Sequence, residues 1–306
     1  MGITSKANFT LGIEGGGTKT TWSLLDEQGK VVAQGRGEAS NLHHSSDPTL
    51  LRIFAAIRRS LDVKPHSIGA AFAGCHLERD RQRVKKLLMQ TWPKVEKIVV
   101  DEDTCSAFVG CHGRENGIII IAGTGSNVFG IKNGRREKAM GWGSLMADFG
   151  SGYSIARAAF IAVYDHFDET QKMGILAKLI VKKAGVSDLE EFVGYILNRE
   201  SKTEVASFTP CVFEAAEKGD PIAKKVIAHE ADLLAKRVGY VSKRLGLKKP
   251  NIGMVGSLFE KQPTYFKLFA QGVKKYAPPA KLFVSEVPGS VGAALLVKYP
   301  LNEAVS

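Results

Sequence analysis

The sequence predicts an α/β protein made of two related domains. Segments rich in β-branched and other apolar residues alternate with segments of helical periodicity, which is typical of a mainly parallel sheet. Three strands joined by glycine-containing turns open the chain, and the same order begins again near residue 117, which indicates a duplication. No linker rich in proline, serine or glycine separates the halves, so we expect two βββαβαβα domains to pack around a central cleft.

The first half combines short strands with amphipathic helices. Apolar residues at helical spacing follow Pro48, whose fixed φ suits the first turn of a helix. The predicted elements are strands at Phe9–Glu14, Lys19–Asp26 and Lys30–Gly35, a helix from Pro48, a strand at Ser67–Phe72, a helix at Glu78–Thr91, a strand at Lys97–Val100 and a short helix after Asp103.

The second half repeats the three strands and then becomes helical. Asn133-Gly134 is a hairpin turn signal, and helical periodicity extends from Ser151 to about Leu245. The predicted strands lie at Gly117–Ala122, Asn127–Lys132, Arg136–Met140, Asn251–Val255 and Lys281–Ser285, and a closing helix lies at Val291–Lys298. We place the domain boundary near residue 115, in the polar segment His112–Asn116.

Composition favours a soluble cytoplasmic protein. The 306 residues are 44% hydrophobic and 24% charged, and the longest apolar runs fall far short of the roughly 20 residues that span a bilayer. The N-terminus lacks the apolar core of a signal peptide. Four cysteines without disulfide or zinc spacing fit a reducing compartment. The net charge of +11 is scattered along helical segments among acidic residues, so we expect neither a nucleic-acid nor a membrane partner.

Two glycine-rich turns are candidate phosphate-binding sites. Gly15-Gly16-Gly17-Thr18 and Gly123-Thr124-Gly125-Ser126 each follow an apolar strand and carry a hydroxyl. Glycines let an anion approach the backbone, and successive N–H groups with a threonine hydroxyl can hold phosphate oxygens. Either turn alone is at least as well explained as a hairpin whose backbone needs glycine, but their recurrence at matching places favours phosphate binding. Neither the P-loop nor the dinucleotide-binding glycine pattern is present.

Five motifs occur in order between Leu11 and Val297. They are Gly12–Thr18, Ala122–Asn127, Gly141-Trp142-Gly143 with Asp148-Phe149-Gly150-Ser151, Gly253–Ser257 and Pro288–Ala293. Together they resemble the sugar-kinase/Hsp70/actin superfamily and, within it, the branch of N-acetylglucosamine kinases and BadF/BadG/BcrA/BcrD-type ATPases. The resemblance implies actin-like (ribonuclease H-like) domains and ATP-dependent phosphorylation of N-acetylglucosamine or a close relative, with the 6-hydroxyl as first candidate.

The resemblance also implies which part of the chain handles which substrate. Residues 1–115 would form the sugar and phosphate side, with the helix at 288–300 packing back on them. Residues 116–287 would form the nucleotide side, with helical insertions. A homodimer is the assembly that the family suggests.

Each residue that matches the family pattern acquires an expected role. Transfer of a phosphoryl group needs a carboxylate that accepts the hydroxyl proton, which the family places between a strand and a short helix. Asp103 fits this place best and Asp101 second, although any acid there could simply cap the helix. The expected ATP and phosphate ligands are Gly16, Gly17, Thr18, Lys19, Gly123, Thr124, Gly125, Gly256 and Ser257, and the expected sugar contacts are Asn41, Gly141, Trp142, Gly143 and Asp148. Glu14 would hold Mg²⁺ through water.

Some alternatives remain open. Asn41 alone would be interpreted as an Asx-turn residue, and Trp142 could belong to a core. Phe149 and Ser154 depart from the family pattern beside Asp148, so glucosamine and N-acetylmuramic acid are alternative substrates. A BadF-type activator ATPase would need cysteine ligands for an iron–sulfur cluster, which Cys105 and Cys111 do not suggest. The His/Cys cluster of the related ROK kinases is missing, so we expect no structural metal.

Overall fold

The chain falls into two compact units, each with one sheet of five strands. The computed structural model describes residues 8–199, 201–277 and 279–301. The first unit takes the chain up to Glu115 and again from Ser285, and the second extends from Asn116 to Val284. Each unit has its own apolar core.

The first unit begins with an antiparallel meander and continues with parallel strands. Its elements are β1 (Thr10–Gly15), β2 (Thr20–Leu25), β3 (Val31–Gly37), α1 (Asp47–Arg59), β4 (Ser67–Phe72), α2 (Glu78–Thr91), β5 (Lys97–Glu102) and α3 (Asp103–His112). The strand order is β3-β2-β1-β4-β5, with β1, β4 and β5 parallel. Helix α1 begins as the sequence indicates, because the Ser46 side chain accepts a hydrogen bond from the amide of Thr49 and Pro48 occupies the first turn.

The second unit repeats this arrangement with helical insertions. Its elements are β6 (Gly117–Ala122), β7 (Ser126–Lys132), β8 (Arg135–Met140), α4 (Gly152–Thr170), α5 (Ile175–Ala184), α6 (Leu189–Leu197), α7 (Lys202–Ser207), α8 (Thr209–Glu217), α9 (Pro221–Leu245), β9 (Asn251–Val255), α10 (Ser257–Lys261), α11 (Pro263–Tyr276) and β10 (Lys281–Val284). The order β10-β9-β6-β7-β8 is that of the first sheet read in reverse. The predicted βββαβαβ repeat is therefore confirmed.

A last helix, α12 (Gly289–Leu295), packs on the first sheet. A Cβ atom at Gly12 in β1 would collide with the carbonyl oxygen of Ser290, and one at Gly69 in β4 would collide with that of Ala293. These two glycines are explained by the close approach of the helix to the strands. Helix α12 begins two residues before the predicted start at Val291.

In each unit the candidate residues follow the carboxyl ends of parallel strands. Gly15, Phe72 and Glu102 lie side by side at the ends of β1, β4 and β5. The segments after these strands therefore meet at one edge of the first sheet. In the second unit Ile121 of β6 lies beside Val255 of β9, so the turns that follow them share an edge as well. None of the described helices is long and apolar enough to cross a bilayer.

Candidate functional site

The first hairpin connects β1 to β2 with backbone that is open to an approaching group. The amide of Gly16 donates to the carbonyl of Lys19 at 2.9 Å, and Gly17, Thr18 and Lys19 are exposed. Neither Gly16 nor Gly17 has a positive φ, and nothing lies within 4 Å of the place where a Cβ at Gly17 would be. The explanation that this turn needs glycine for its backbone is therefore wrong at Gly17.

The second hairpin connects β6 to β7 and shows the same property. The amide of Gly123 donates to the carbonyl of Gly125 at 2.9 Å. Gly123 also lacks a positive φ and has nothing within 4 Å of a Cβ position. The carbonyl oxygens of Gly123 and Thr124 accept hydrogen bonds from the amides of Gly152 and Tyr153, at 2.8 and 3.2 Å. The first turn of α4 thus fixes this hairpin while Gly123 stays open to an approaching group.

Two carboxylates, Glu14 and Asp103, lie near each other at the carboxyl edge of the first sheet. Burial and the negative charge of Asp103 raise the pKa of Glu14, against the effects of a Thr21 hydrogen bond and of Lys19. Oγ1 of Thr21 donates to Oε2 of Glu14 at 3.1 Å. The Glu14 carboxylate also packs directly against Gly289, where a Cβ would collide with it.

Asp101 and Asp103 have different surroundings. The Asp101 residue is only 1% exposed, and its Oδ1 lies 3.4 Å from Nε and Nη2 of Arg81 and 2.9 Å from the amide of Glu102. Asp103 is half-buried at the first position of α3, where its Oδ1 accepts from the amide of Thr104 at 2.9 Å. Asp101 is therefore bound to a guanidinium, whereas Asp103 lies beside Glu14.

Asn41 lies in a loop that is tied to the first hairpin. The amide of Ser40 donates to the carbonyl of Gly16 at 3.1 Å. Oδ1 of Asn41 accepts from the amide of His43 at 2.9 Å, so the Asx turn expected from the sequence is present. A Cβ at Gly74, after β4, would lie 3.0 Å from the same Oδ1. Asn41 therefore lies at the carboxyl edge of the first sheet with its oxygen used locally.

The segment after β8 brings Trp142 to the surface of the second unit. Gly141 and Gly143 have positive φ values of 78° and 89°, which explains both glycines by backbone conformation. Trp142 is 61% exposed, so the alternative of a core tryptophan is wrong. Nearby, Oδ1 of Asn127 is buried without a hydrogen-bond partner among the described residues. A Cβ at Gly141 would lie 2.8 Å from Nδ2 of Asn127, so this amide borders the Trp142 segment.

Asp148 is buried in the second unit and faces a lysine. Its carboxylate oxygen Oδ2 lies 2.5 Å from the ammonium nitrogen of Lys202, at the start of α7. The same ammonium lies against Gly125 of the second hairpin, where a Cβ would collide with it. Family resemblance predicted Asp148 as a sugar contact, and the structure adds a cation between this carboxylate and the hairpin.

The backbone after Asp148 is fixed by two buried side chains. The amide of Gly150 donates to Oε2 of Glu230 at 2.7 Å, and the Tyr265 hydroxyl donates to the carbonyl of Gly150 at 2.6 Å. The ring of Phe149, where the family pattern usually has an acid, lies 4.1 Å from the guanidinium carbon of Arg237. Phe149 thus stacks on a cation of α9.

Gly256 has a structural explanation that the sequence did not reveal. Its φ is +110°, and a Cβ there would lie 2.5 Å from the carbonyl oxygen of Ala122. It ends β9 and precedes the short helix α10, which begins at Ser257. The strand end and helix start are as predicted, but close packing against β6 accounts for this glycine without a nucleotide.

Sequence reasoning did not single out Asn127 or Lys202. Asn127 stood within the second hairpin motif, so its position at the start of β7 could have identified it. Lys202 belongs to the helical insertions, and nothing local in the sequence connects it with Asp148 or Gly125.

Comparison with known proteins supplies a family and several relatives. A sequence model of the BadF/BadG/BcrA/BcrD ATPase family matches residues 11–297. The N-acetyl-D-glucosamine kinase of Dictyostelium discoideum is 25% identical over 307 residues, covering 94% of this chain and 96% of that protein. The N-acetylmuramic acid/N-acetylglucosamine kinase of Clostridium acetobutylicum is 26% identical over 302 residues, covering 95% of this chain and 98% of the relative.

Solved structures share the fold. A candidate N-acetylglucosamine kinase from Chromobacterium violaceum superposes with a TM-score of 0.76 at 22% identity, covering 95% of this chain and 99% of its own. A ROK family glucokinase from Streptomyces griseus, solved with glucose and AMPPNP, gives a TM-score of 0.64 at 16% identity, covering 95% and 98%. These similarities, with the two sheets of identical strand order, establish the predicted actin-like sugar-kinase fold.

Proposed function

Because the chain belongs to the BadF/BadG/BcrA/BcrD ATPase family, we propose that it is an ATP-dependent kinase of N-acetylglucosamine or a closely related amino sugar. The relatives that extend over nearly its whole length are kinases of N-acetylglucosamine and of N-acetylmuramic acid. The 6-hydroxyl is our first candidate for the acceptor.

The observation that carries this proposal is the open glycine backbone of the two hairpins. Many other glycines, such as Gly12 and Gly256, are explained by packing or by a positive φ. Gly17 and Gly123 have neither explanation, although the exposed Gly37 and Gly194 also lack both. The distinguishing feature of the hairpin glycines is that open backbone recurs in both turns, each directly after the first strand of its sheet.

A glycine that neither packing nor backbone conformation requires is expected where a ligand must approach the main chain closely. Phosphate oxygens are ligands of this kind, because they accept hydrogen bonds from backbone N–H groups. We therefore assign phosphate binding to each hairpin, with Thr18 and Lys19 as further ligands at the first and Thr124 at the second.

Asp103 is the residue that we assign as general base. The acceptor hydroxyl must lose its proton as the phosphoryl group transfers, and a carboxylate within hydrogen-bond reach can take it. Asp101 is a poor candidate because its carboxylate is paired with the Arg81 guanidinium and is buried, so a substrate hydroxyl cannot reach it. Asp103 is half-buried at the first position of α3, so part of its side chain stays accessible to a substrate.

Each unit has groups that we assign to the sugar. In the first unit Asn41 would use its amide, while its oxygen maintains the loop. In the second unit, the buried and unpaired Oδ1 of Asn127 needs a hydrogen-bond donor such as a sugar hydroxyl. Trp142, between Gly141 and Gly143, presents an exposed aromatic face that suits a sugar ring. Asp148 would contribute a hydroxyl contact, and Gly256 with Ser257 would border the adenosine.

Mg²⁺ fits the carboxylates of the first unit. Burial and Asp103 raise the pKa of Glu14, so a cation near this pair would relieve the repulsion between the two charges. When bound, Mg²⁺ would neutralise the phosphate charge, held by Glu14 through water and by phosphate oxygens. The protein itself positions the phosphates, orients the hydroxyl and takes its proton.

The family also contains ATPases, and an activator ATPase is the competing class of function. Such a protein needs cysteine thiolates as ligands of an iron–sulfur cluster. Of the two cysteines of α3, Cys105 is buried and Cys111 is half-buried, so neither side chain is presented at the surface where a cluster shared between subunits would lie. This observation favours the kinase. A cytoplasmic location and a homodimer complete our proposal, and size-exclusion chromatography tests the assembly.

A coupled assay of ADP release over a panel of sugars tests the proposed function. The panel contains N-acetylglucosamine, glucosamine, N-acetylmuramic acid, N-acetylmannosamine and glucose, each with ATP and Mg²⁺. We expect release that depends on an amino sugar, with a phosphorylated sugar as product in mass spectrometry. ADP release that is independent of any sugar would contradict a kinase and favour an ATPase.

A further inference from the structure

The ammonium of Lys202 lies between a buried carboxylate and the second phosphate hairpin. Its nitrogen is 2.5 Å from Oδ2 of Asp148, whose side chain is 5% exposed, while the Lys202 side chain is 39% exposed. The ammonium thus contacts a buried carboxylate, while part of the Lys202 side chain is open to solvent. It also lies against Gly125, so a positive charge is fixed beside the hairpin.

The surroundings of Gly125 show how closely the ammonium approaches the hairpin backbone. Unlike Gly141 or Gly143, it has no positive φ, and the nearest atoms to a Cβ there are Nζ of Lys202 and, at 3.1 Å, Oδ2 of Asp148. The end of a lysine side chain is flexible and could move away from a methyl group. A methyl group at Gly125 would therefore displace the ammonium, whereas glycine leaves it room beside the hairpin backbone.

Stability alone does not account for this ion pair. Removing a carboxylate from water is expensive, and a buried pair replaced by apolar residues often leaves a protein as stable or more so. A half-exposed lysine next to a turn that is suited to anions is arranged to attract a further negative charge. The ammonium is a point charge with three donors, so it can face a carboxylate and a phosphate together.

We propose that Lys202 is a ligand of the nucleotide phosphates at the second hairpin and that Asp148 is its positioning residue. This inference deepens the proposed function and rests on it. In the free protein the ammonium is paired with Asp148, and binding of a phosphate adds a second anion without breaking that pair. The buried Asp148 charge thus stays paired in both states. The contribution of Lys202 to the affinity comes from the phosphates and not from the nucleoside.

Binding measurements by calorimetry with ATP, ADP and adenosine test the inference. The variants are Lys202→Met, Lys202→Arg and the double variant Lys202→Met/Asp148→Asn, which leaves no carboxylate unpaired. Lys218→Met is the matched control, since it removes an exposed lysine that is paired with a carboxylate, Glu214 at 2.6 Å, but has no contact with the hairpin glycines. We expect Lys202→Met and the double variant to bind ATP and ADP about 10- to 100-fold more weakly, because a hydrogen bond between charged groups is lost.

The comparison of ATP and ADP with adenosine, which carries no phosphate, separates the possible outcomes. Adenosine affinity should stay unchanged in all variants, Lys202→Arg should recover part of the ATP affinity, and Lys218→Met should behave as the wild type. If Lys202→Met does not fold, the double variant decides. ATP binding by either of these variants within about twofold of the wild type overturns the role of Lys202 while leaving the kinase proposal intact. A wild-type protein that binds neither ATP nor ADP overturns both.

Discussion

At the scale of single residues, Asp101 and Asp103 differ in their expected roles: Asp103 is the assigned general base, and Asp101 pairs with Arg81. Asp103→Asn keeps the shape and the hydrogen bond to the amide of Thr104 but removes the proton acceptor. We expect kcat to fall about 10²- to 10⁴-fold, as is typical for loss of a general base, with sugar affinity retained. Steady-state kinetics and calorimetry with the sugar measure the two effects separately.

Asp101→Asn serves as the contrasting variant. It removes the partner of Arg81 in a pair whose carboxylate is 1% exposed, so the loss should appear in stability. Breaking a buried pair costs on the order of 3 kcal/mol, which thermal unfolding detects, while the folded fraction should keep most of its kcat. If Asp103→Asn keeps more than about a tenth of the wild-type kcat, proton removal by Asp103 is not important to the rate.

Asn41 offers a second test at the scale of one side chain. Its oxygen maintains the local turn through the amide of His43, so only its nitrogen is assigned to the sugar. Asn41→Asp keeps an oxygen for the turn and removes the donor, whereas Asn41→Ala removes both. We expect both variants to weaken sugar binding by about 1–3 kcal/mol with little effect on ATP, and only Asn41→Ala to lower the melting temperature. Unchanged sugar KM in Asn41→Asp would refute the assignment.

At the scale of the hairpins, glycine substitutions distinguish ligand approach from backbone need. Gly17→Ala and Gly123→Ala place a methyl group in open space at a φ that alanine accepts, so both should fold with nearly unchanged melting temperature. We expect each to raise the KM for ATP about tenfold or more, because the methyl group occupies the path of the phosphate, and tenfold equals roughly 1.4 kcal/mol.

Gly134→Ala is the matched control for these two substitutions. Gly134 also has nothing near a Cβ position, but its φ is +79°. Alanine there should lose about 1 kcal/mol of stability without a change in the KM for ATP. Wild-type KM values in Gly17→Ala and Gly123→Ala would show that the phosphates bind elsewhere.

Gly256, which we assign to the border of the adenosine, is not suited to such a test. From the sequence alone, Gly256→Leu is expected to raise the KM for ATP far more than the KM for the sugar. In the structure a Cβ at Gly256 meets the backbone of Ala122 at a φ of +110°, so any side chain strains the junction of β6 and β9. A general loss of stability is expected, which would obscure an effect on nucleotide binding.

Over the whole molecule, local hydrophobic periodicity predicted the elements well. The bounds of β4, α2, β6 and β9 agree with those derived from the sequence. The helical region after Ser151 was not resolved into its helices, because breaks such as the left-handed caps at Gln171 and Gly185 leave the apolar period almost intact. The end of β5 was placed too early, which hid that Asp101 still belongs to the strand.

The chemistry of the site depended on contacts between distant parts of the chain. The pairs Arg81–Asp101 and Lys202–Asp148 are tertiary, so no local pattern predicts them. The role of a glycine was also difficult to predict from the sequence. Gly134 has a positive φ and Gly123 does not, although both lie in glycine-containing turns between strands. The sequence located the hairpins, but only the backbone conformation distinguishes a glycine that the turn needs from one that it does not.

The stability of the whole first unit should depend on pH through Glu14. Burial, then the charge of Asp103, raise its pKa above the ordinary value of 4.5 in the folded protein. The folded state therefore binds the Glu14 proton more tightly than the unfolded state, so stability falls as the pH rises from below 4.5 through the folded-state pKa. Glu14→Gln removes this penalty, and we expect a higher melting temperature than the wild type at pH 7, with the difference shrinking toward pH 4. Activity should decrease, because a buried charge that lowers stability is expected to be kept for function.

Thermal unfolding of Glu14→Gln at pH 7 and at pH 4 checks the expected gain in melting temperature. The kcat measured at pH 7 checks the expected loss of activity. Glu115→Gln is the control, because Glu115 is an exposed glutamate of the same unit. It should shift neither the melting temperature nor its dependence on pH. A Glu14→Gln variant that is less stable than the wild type at pH 7 would mean that the hydrogen bond from Thr21 and the charge of Lys19 outweigh burial. Glu14 would then be held as a carboxylate for the sake of the fold, and its assignment to Mg²⁺ would lose its physical basis.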